Sequence, residues 1–249
     1  MMQLYDAMIL RVRALLEGLP VRRMAFAEGN TWPENADFEM IFQKDVAYEL
    51  GGGKAMSANL TCVTEDPALF DGDQVFVYGP DLPEIQGDVS YARICEVLVE
   101  SPAEEDSSQI LKLLQDIEFE KFHVYGKGFM MRTSGQSARE PVRVSKQALQ
   151  DGISFEKLGN TFISHYKKNP SVRAVRVSFI TLDAFDYEKL SQEAKTALEI
   201  RNSLSKIQKG LPTECSICDI REICNEVEGL RELHFGKRSD RANVNKILN

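Results

Sequence analysis

Three cysteines near the end of the chain have the spacing of a metal or iron-sulfur site. Two residues separate Cys215 from Cys218, and Cys224 follows within one or two helical turns. Such thiolates converge on a soft metal or on an iron-sulfur cluster, and either site usually takes four protein ligands. His234 is a candidate for the missing ligand because imidazole completes three-cysteine sites; a packed histidine is the alternative. We therefore expect an iron-sulfur cluster here, or zinc or nickel.

The remaining cysteines and the N-terminal segment indicate a reducing location. Cys62 and Cys95 lie in apolar, strand-like stretches and are interpreted as core thiols. Residues 1–19 read as an amphipathic helix interrupted by charges, without the apolar core of a signal peptide. We expect a cytoplasmic protein, in which reduced thiols favour a metal site over a disulfide.

Charge and hydropathy exclude two broad classes of partner. The net charge of -8 disfavours general nucleic-acid binding, which needs a basic surface. No apolar run is long enough to span a bilayer, so no membrane association is expected. The charge is unevenly distributed, since residues 84–120 are acidic and 121–176 are basic. A basic surface of this kind attracts a small polyanion such as a phosphorylated cofactor; a solvated set of charges is the alternative.

Alternating strand-like and helical patterns predict an α/β fold with a mixed central sheet covered by helices and a short cysteine-containing C-terminal tail. We divide the chain into an N-terminal helix and connecting segment (1–38), an α/β domain (39–208) and the tail (209–249). The predicted strands are 46–50, 74–78, 92–99, 142–145 and 172–182, and the predicted helices are 1–19, one opening at Ser101-Pro102, 154–168 and 183–205.

Two groups of residues are candidates for binding a phosphate. Gly51, Gly52, Gly53 and Lys54 follow a strand, and a glycine turn there can aim backbone amides at an anion; a structural turn is the alternative. The basic residues of the second group lie around two later strands, where arginine forks suit phosphate and surface ion pairs are the alternative. They are Arg143, Lys146, Arg173 and Arg176.

Several motifs occur in the order and at roughly the spacing of one family. The segment from Tyr48 to Lys54 is similar to F-V-E-L-G-G-P-K, and the segment from Asp71 to Leu82 is similar to D-G-K-x-x-x-x-G-P-D-L. Arg143-Val144-Ser145-Lys146 resembles W-[IM]-R-V-S-K-D, without its tryptophan, and the strand ending at Asp183 resembles [FI]-Y-T-D. These motifs are those of acetyl-CoA synthase, the beta subunit of the carbon monoxide dehydrogenase/acetyl-CoA synthase complex. The resemblance covers about residues 39–225.

The resemblance implies the middle domain of that family, followed by the start of its A-cluster domain. It implies that Cys215 and Cys218 match the first pair of ligands of the family's four-iron cluster, and that Cys224 matches the third at a shorter spacing. Residues 225–249 contain no cysteine, so nothing matches the fourth ligand or the C-G-C pair of the nickel centre. Full synthase activity by this chain alone is therefore not expected.

The resulting hypothesis is an acetyl-CoA synthase-related protein of carbon monoxide/acetyl-CoA metabolism. The resemblance implies binding of coenzyme A, or of another phosphorylated ligand, by the middle domain. The expected partners are subunits of the carbon monoxide dehydrogenase/acetyl-CoA synthase complex, with a homo-oligomer as a further expectation. The alternative is a non-catalytic regulatory or complex-assembly module with a metal- or redox-dependent tail. No catalytic residue is assigned by the sequence.

Overall fold

A computed structural model describes residues 3–35, 40–41, 46–100, 107–134, 136–212 and 214–235. Its strands are β1 (Arg22–Ala25), β2 (Ala47–Leu50), β3 (Ser57–Thr64), β4 (Gln74–Tyr78), β5 (Tyr91–Val99), β6 (Phe129–Met131), β7 (Val142–Ser145) and β8 (Val172–Ile180). Its helices are α1 (Asp6–Leu16), α2 (Ser107–Glu120), α3 (Lys146–Gln150), α4 (Phe155–Tyr166), α5 (Tyr187–Lys209) and α6 (Arg221–Glu226).

The larger of two sheets has five strands in the order β1-β4-β8-β5-β3. Adjacent strands of this sheet pair alternately in antiparallel and parallel orientation, so the predicted mixed sheet is confirmed. Helix α4 packs on one face, where Gly159 lies against Val75. Helix α1 packs on the other face, where Met8 contacts Cys62. Because α5 packs beside α1 and on β3, helices cover both sides of the sheet.

The smaller sheet is an antiparallel set of three short strands in the order β2-β7-β6. Its register places Glu49 of β2 opposite Arg143 of β7. Helix α3 follows β7 without a loop, because the hydroxyl of Ser145 accepts a hydrogen bond from the Ala148 amide at 3.1 Å and caps the helix. This sheet therefore brings the predicted glycine turn and the Arg143 motif into contact.

A buried ion pair joins the two sheets. Arg93 of β5 donates two hydrogen bonds, of 2.8 and 2.7 Å, to the carboxylate of Glu140, which lies two residues before the start of β7. Both side chains are fully buried. The guanidinium also donates to Cys95 at 3.0 Å and to Asn59 at 3.3 Å, and it lies 4.4 Å from the centroid of the Phe162 ring. Every residue of β3 and β5 is buried, and this network satisfies polar groups among them.

The predicted elements agree with most of the observed ones. The strand at 74–78 and the strand at 142–145 have the predicted bounds, and α5 ends where Gly210 adopts a φ of +95°. The predicted helix start at Ser101-Pro102 lies outside the described residues, whereas its inner face, Ile110, Leu111, Leu114 and Ile117, is buried as predicted. Strands β1, β3 and β6 were not predicted. Four of the eight residues of β3 are polar, so the sequence lacks the apolar pattern of a buried strand. In the fold, all eight residues are buried.

The described part of the C-terminal segment packs on the main core. Gly229 lies against Leu4 near the start of the chain, and Lys206 of α5 pairs with Asp219 at 2.5 Å. Within the predicted cysteine-containing tail, Cys218 and Cys224 pack against this core, whereas Cys215 is exposed. Five apolar side chains make this contact: Ile220, Ile223, Val227, Leu230 and Leu233.

Replacing Glu140 by Gln leaves the Arg93 charge buried without its counter-ion. We expect the free energy of unfolding to fall by about 3–5 kcal/mol, measured by urea denaturation. The double variant Arg93→Met/Glu140→Leu should recover most of this loss, because it removes both charges. Breaking the exposed pair of Arg22 and Glu84 with Arg22→Ala should cost less than about 1 kcal/mol. If Glu140→Gln lowers the free energy of unfolding by less than about 1 kcal/mol, the stabilising role of the buried pair is contradicted.

Candidate functional site

The glycine turn after β2 is a tight structure built around a carboxylate. Gly51 adopts a φ of +68°, and a Cβ there would lie 2.4 Å from that of Ser57. A Cβ on Gly52 would lie 1.8 Å from a carboxylate oxygen of Glu49. The Gly51 amide donates to Val89 at 2.7 Å, and Arg139 donates to the Gly51 carbonyl at 3.0 Å. These contacts explain why the chain needs glycine at both positions.

Two arginines hold the carboxylate beneath this turn. Arg143 donates from Nε to Glu49 at 3.3 Å and from Nη1 to the carbonyl of Ile41 at 2.8 Å, and Arg132 contacts the other oxygen of Glu49. Burial opposes ionisation of Glu49, but Arg132 and Arg143 outweigh it and hold the pKa of this carboxyl below its usual value. Glu49 is therefore charged at neutral pH and neutralises part of the arginine charge.

The same two arginines line a cavity of about 500 Å³, here called the arginine cavity. A third cation, the buried Lys121, also lines it and lies 3.5 Å from the carboxylate of Glu118. Cations at the edge of a mostly apolar cavity suit a ligand with both a phosphate and an apolar body. The apolar lining includes Phe122, Val124, Phe129, Met130 and Met131.

The other predicted phosphate-binding residues lie around or away from this cavity. Lys146 is exposed, and its ammonium lies 5.6 Å from the centroid of the Tyr48 ring, while Lys54 is exposed on the glycine turn. Arg173 and Arg176 belong to β8 in the larger sheet. Arg173 is exposed and pairs with Glu100, whereas Arg176 is mostly buried over Phe76. The structure therefore brings Arg143 and the glycine turn together and separates them from the β8 arginines.

The four predicted metal ligands line one pocket of about 260 Å³, here called the cysteine pocket. Cys215 lies on a single 3-10 turn, Cys218 follows it, and Cys224 lies on α6. Cys215 is exposed, Cys218 and Cys224 are half-buried, and His234 is buried. Among the described residues, no set of three His, Cys, Asp or Glu side chains has the geometry of a metal site. The donors thus share a pocket without standing at ligand distances.

Two arginines give the cysteine pocket a positive edge. Arg221 and Arg231 line it together with the cysteines, and Arg231 donates to Asn225 at 2.6 Å. Burial raises the pKa of the Cys224 thiol, the Arg231 guanidinium opposes this rise, and the neighbouring Cys218 thiol adds to it. Thiolate ligands and an anionic cluster are stabilised by such cations, so the chemistry of this donor set fits a soft metal or a cluster.

Several residues of these sites were not singled out from the sequence. Glu49 lies in the motif from Tyr48 to Lys54, and Arg132, Lys121 and Arg139 lie in the basic range 121–176, but neither pattern assigns them a role. Their roles depend on the pairing of β2, β6 and β7, which joins residues distant in the chain. Charged residues flanking short strands were the available signal, but they do not reveal which strands pair.

Comparison with protein families identifies the α/β part of the chain. Residues 34–185 match the family model described as the CO dehydrogenase/acetyl-CoA synthase complex beta subunit. The chain belongs to this family. The match to the beta-subunit family confirms the resemblance found in the motifs. None of the curated proteins compared with the chain matches it.

In this member of the beta-subunit family, the arginine cavity lies inside the matched range and the cysteine pocket lies outside it. The glycine turn, Glu49 and every described residue lining the arginine cavity lie within residues 34–185, whereas the cysteine pocket lies after them. The family match therefore covers the chain segment that forms the arginine cavity and does not cover the cysteine pocket. Within the described ranges, no helix is long and apolar enough to cross a membrane.

The Glu49 ion pairs should make stability depend on pH in one direction. The pKa of Glu49 is lowered by folding, so its contribution is present above the usual Glu pKa of about 4.3 and is lost as pH falls through the folded-state value. We expect wild type to be more stable than Glu49→Gln at pH 7 and the difference to shrink below about pH 4.3. Urea denaturation across this range measures it. A difference that stays constant to pH 2 would contradict the pairing.

Proposed function

We propose that this chain is an acetyl-CoA synthase-related protein of carbon monoxide/acetyl-CoA metabolism that binds coenzyme A or another phosphorylated ligand in the arginine cavity. We propose further that the cysteine pocket holds a metal or an iron-sulfur cluster. The observation that carries the first proposal is a mostly apolar cavity lined by Lys121, Arg132 and Arg143, within the range that matches the beta-subunit family. Shared family membership supports the metabolic context, and the geometry supports the type of ligand.

The cavity can receive part of a coenzyme A molecule. Its volume of about 500 Å³ is within the usual range for small-ligand sites. The apolar wall suits an adenine ring or a pantetheine arm, while Arg132 and Arg143 suit phosphate because guanidinium groups donate paired hydrogen bonds. Lys146 and Lys54 are exposed lysines of the adjoining β2-β7 elements, and they would add long-range attraction for a polyanion.

Glu49 would act as the competitor of such a ligand. Its carboxylate already contacts Arg132 and Arg143, so an incoming phosphate must share or replace these contacts. The glycine turn would contribute indirectly, because the lack of a Cβ on Gly52 allows the Glu49 carboxylate to lie there. Ligand affinity would therefore depend on the balance between one internal carboxylate and two guanidinium groups.

The cysteine pocket would hold its metal through Cys215, Cys218 and Cys224. His234 lines the same pocket and would be the fourth protein ligand; a ligand from a partner is the alternative. A bound iron-sulfur cluster would supply electron transfer or an iron with an open position, and zinc would supply a structural link. Arg221 and Arg231 would offset the negative charge of the thiolates.

A non-catalytic regulatory or assembly role is the second candidate. This role is favoured by the packing of the C-terminal segment, because its buried apolar residues belong to the same hydrophobic core as those of the α/β unit. A metal bound by Cys218 and Cys224 would stabilise the α6 region through the folding free energy of the site. Metal loading or thiol oxidation would then change the surface offered to other subunits of a carbon monoxide dehydrogenase/acetyl-CoA synthase complex, or to a second copy of this chain.

Calorimetric titration with coenzyme A tests the ligand proposal. Arg143→Gln should weaken binding about tenfold or more, because it removes a charged hydrogen bond. Glu49→Gln should strengthen binding, since it releases both arginines from their internal partner. Arg11→Gln, which removes an exposed pair with Glu193, is the matched control and should leave the affinity unchanged. Absence of binding at about millimolar concentration, or an Arg143→Gln variant equal to wild type, would refute the proposal.

Anaerobic purification with metal analysis and absorption spectroscopy tests the cysteine pocket. We expect iron with broad charge-transfer absorption for a cluster, or zinc without it. Cys218→Ser should lower the metal content, whereas Ser216→Ala changes a side chain of the same pocket that is not a predicted ligand and should retain it. A metal-free wild-type protein, or equal metal content in Cys218→Ser, would contradict the assignment.

A further inference from the structure

A second basic cavity lies against the larger sheet, away from the arginine cavity. It has a volume of about 260 Å³ and lies between β1, β4 and β8 and residues 68–72. Arg176 lines this second cavity, although its place in the sequence puts it in the same candidate group as Arg143. The structure places Arg176 on β8, and the two cavities share no lining residue among those described. The second cavity therefore requires its own explanation.

The strand register places two arginines around one aromatic ring. Arg23 of β1 lies opposite Phe76 of β4, and Arg176 of β8 lies opposite Gln74, two residues before Phe76. All four side chains consequently point to the same face of the sheet. The guanidinium carbon of Arg176 lies 3.9 Å from the centroid of the Phe76 ring, and that of Arg23 lies 5.7 Å from it. We call this arrangement the guanidinium clip.

The carboxylates near the guanidinium clip do not fully use its charge. Arg176 approaches Glu96 only to 3.9 Å, and Glu96 accepts closer hydrogen bonds from Arg13 of α1, including one of 3.0 Å. The Nε atom of Arg176 is buried and has no hydrogen-bond partner among the described residues, whereas its Nη2 atom donates to the Tyr78 hydroxyl at 3.3 Å. Arg23 pairs with Asp71 at 2.7 Å, but both side chains are exposed and water weakens the pair. Three arginines thus face two carboxylates.

The composition of the cavity indicates the chemical class of its ligand. Two guanidinium groups line the cavity and favour an oxyanion, because the fork of each matches phosphate oxygens. Phe70 and Phe76 line the same space, so a flat apolar group can lie beside the anion. The small volume excludes most of a dinucleotide-sized ligand and leaves room for a phosphate group with one ring.

We infer that the guanidinium clip is a second binding site, for a small organic phosphate whose phosphate contacts Arg176 and Arg23 and whose flat apolar part contacts Phe70 and Phe76. This site goes beyond the proposed coenzyme A site, because it lies on a different sheet and uses different residues. An effector or a second substrate of this class would reach it independently of the arginine cavity.

Titration of the full chain with three probes tests the site. Phenyl phosphate carries both features of the ligand, inorganic phosphate lacks the ring, and phenol lacks the charge. We expect phenyl phosphate to bind more tightly than inorganic phosphate and phenol not to bind, measured by calorimetry at low salt. Arg176→Met keeps an apolar contact with Phe76 and should weaken phenyl phosphate binding about tenfold or more.

Matched variants locate the binding. Arg23→Gln changes an exposed residue of an edge strand and should also weaken binding, which keeps the test decisive if Arg176→Met does not fold. Arg22→Met changes the neighbouring residue of β1, which contacts Glu84 instead, and should leave binding unchanged. Arg143→Gln should weaken coenzyme A but not phenyl phosphate, so failure of one site is distinguishable from failure of the other.

Three results would overturn the inference. The first is no detectable binding of phenyl phosphate at about millimolar concentration. The second is equal affinity of folded Arg176→Met or Arg23→Gln and wild type. The third is loss of phenyl phosphate binding in Arg143→Gln, which would assign the probe to the arginine cavity.

Discussion

The buried pair of Arg93 and Glu140 is the interaction on which the arrangement of both sheets depends. Arg93 lies on β5 of the larger sheet, and Glu140 lies in the segment that leads into β7 of the smaller one. Two charges that are buried away from water are stable only as a pair with additional hydrogen bonds. Here Asn59 and Cys95 accept these additional hydrogen bonds from Arg93. This contact ties the start of β7 to the core, and the pairing of β7 with β2 and β6 places Arg143. The arginine cavity is thus supported from the core.

A shared electrostatic design links the three candidate sites. Each places more arginines than carboxylates together: Arg132 and Arg143 beside Glu49; Arg13, Arg23 and Arg176 beside Asp71 and Glu96; and Arg221 and Arg231 beside the cysteine thiols. The chain as a whole is acidic, so these clusters are local exceptions to its net charge of -8. A low-dielectric wall beside each cluster strengthens its attraction for anions.

The sequence predicted those features whose signals are local. The strand at 74–78 and the helix at 187–209 have apolar patterns and glycine ends that mark them, and the cysteine spacing placed its donors in one pocket. Strand β3 was missed because its polar residues find partners only after the sheets assemble. The pairing of Glu49 with Arg143 depends on strand register, which no local pattern contains. For the same reason, the sequence placed Arg143 and Arg176 in one group, although they belong to different sheets.

Strand β1 forms one edge of the larger sheet and has a further consequence for the behaviour of the chain in solution. A sheet edge exposes unpaired backbone groups to which another strand can add, and charged side chains oppose such addition. Two of the four residues of β1 are arginines, both exposed. Arg23 is therefore part of the guanidinium clip and also opposes edge-to-edge aggregation. Any change that neutralises this strand to alter ligand binding also makes the edge a better template for a neighbouring chain, so solubility and recognition are coupled at that residue.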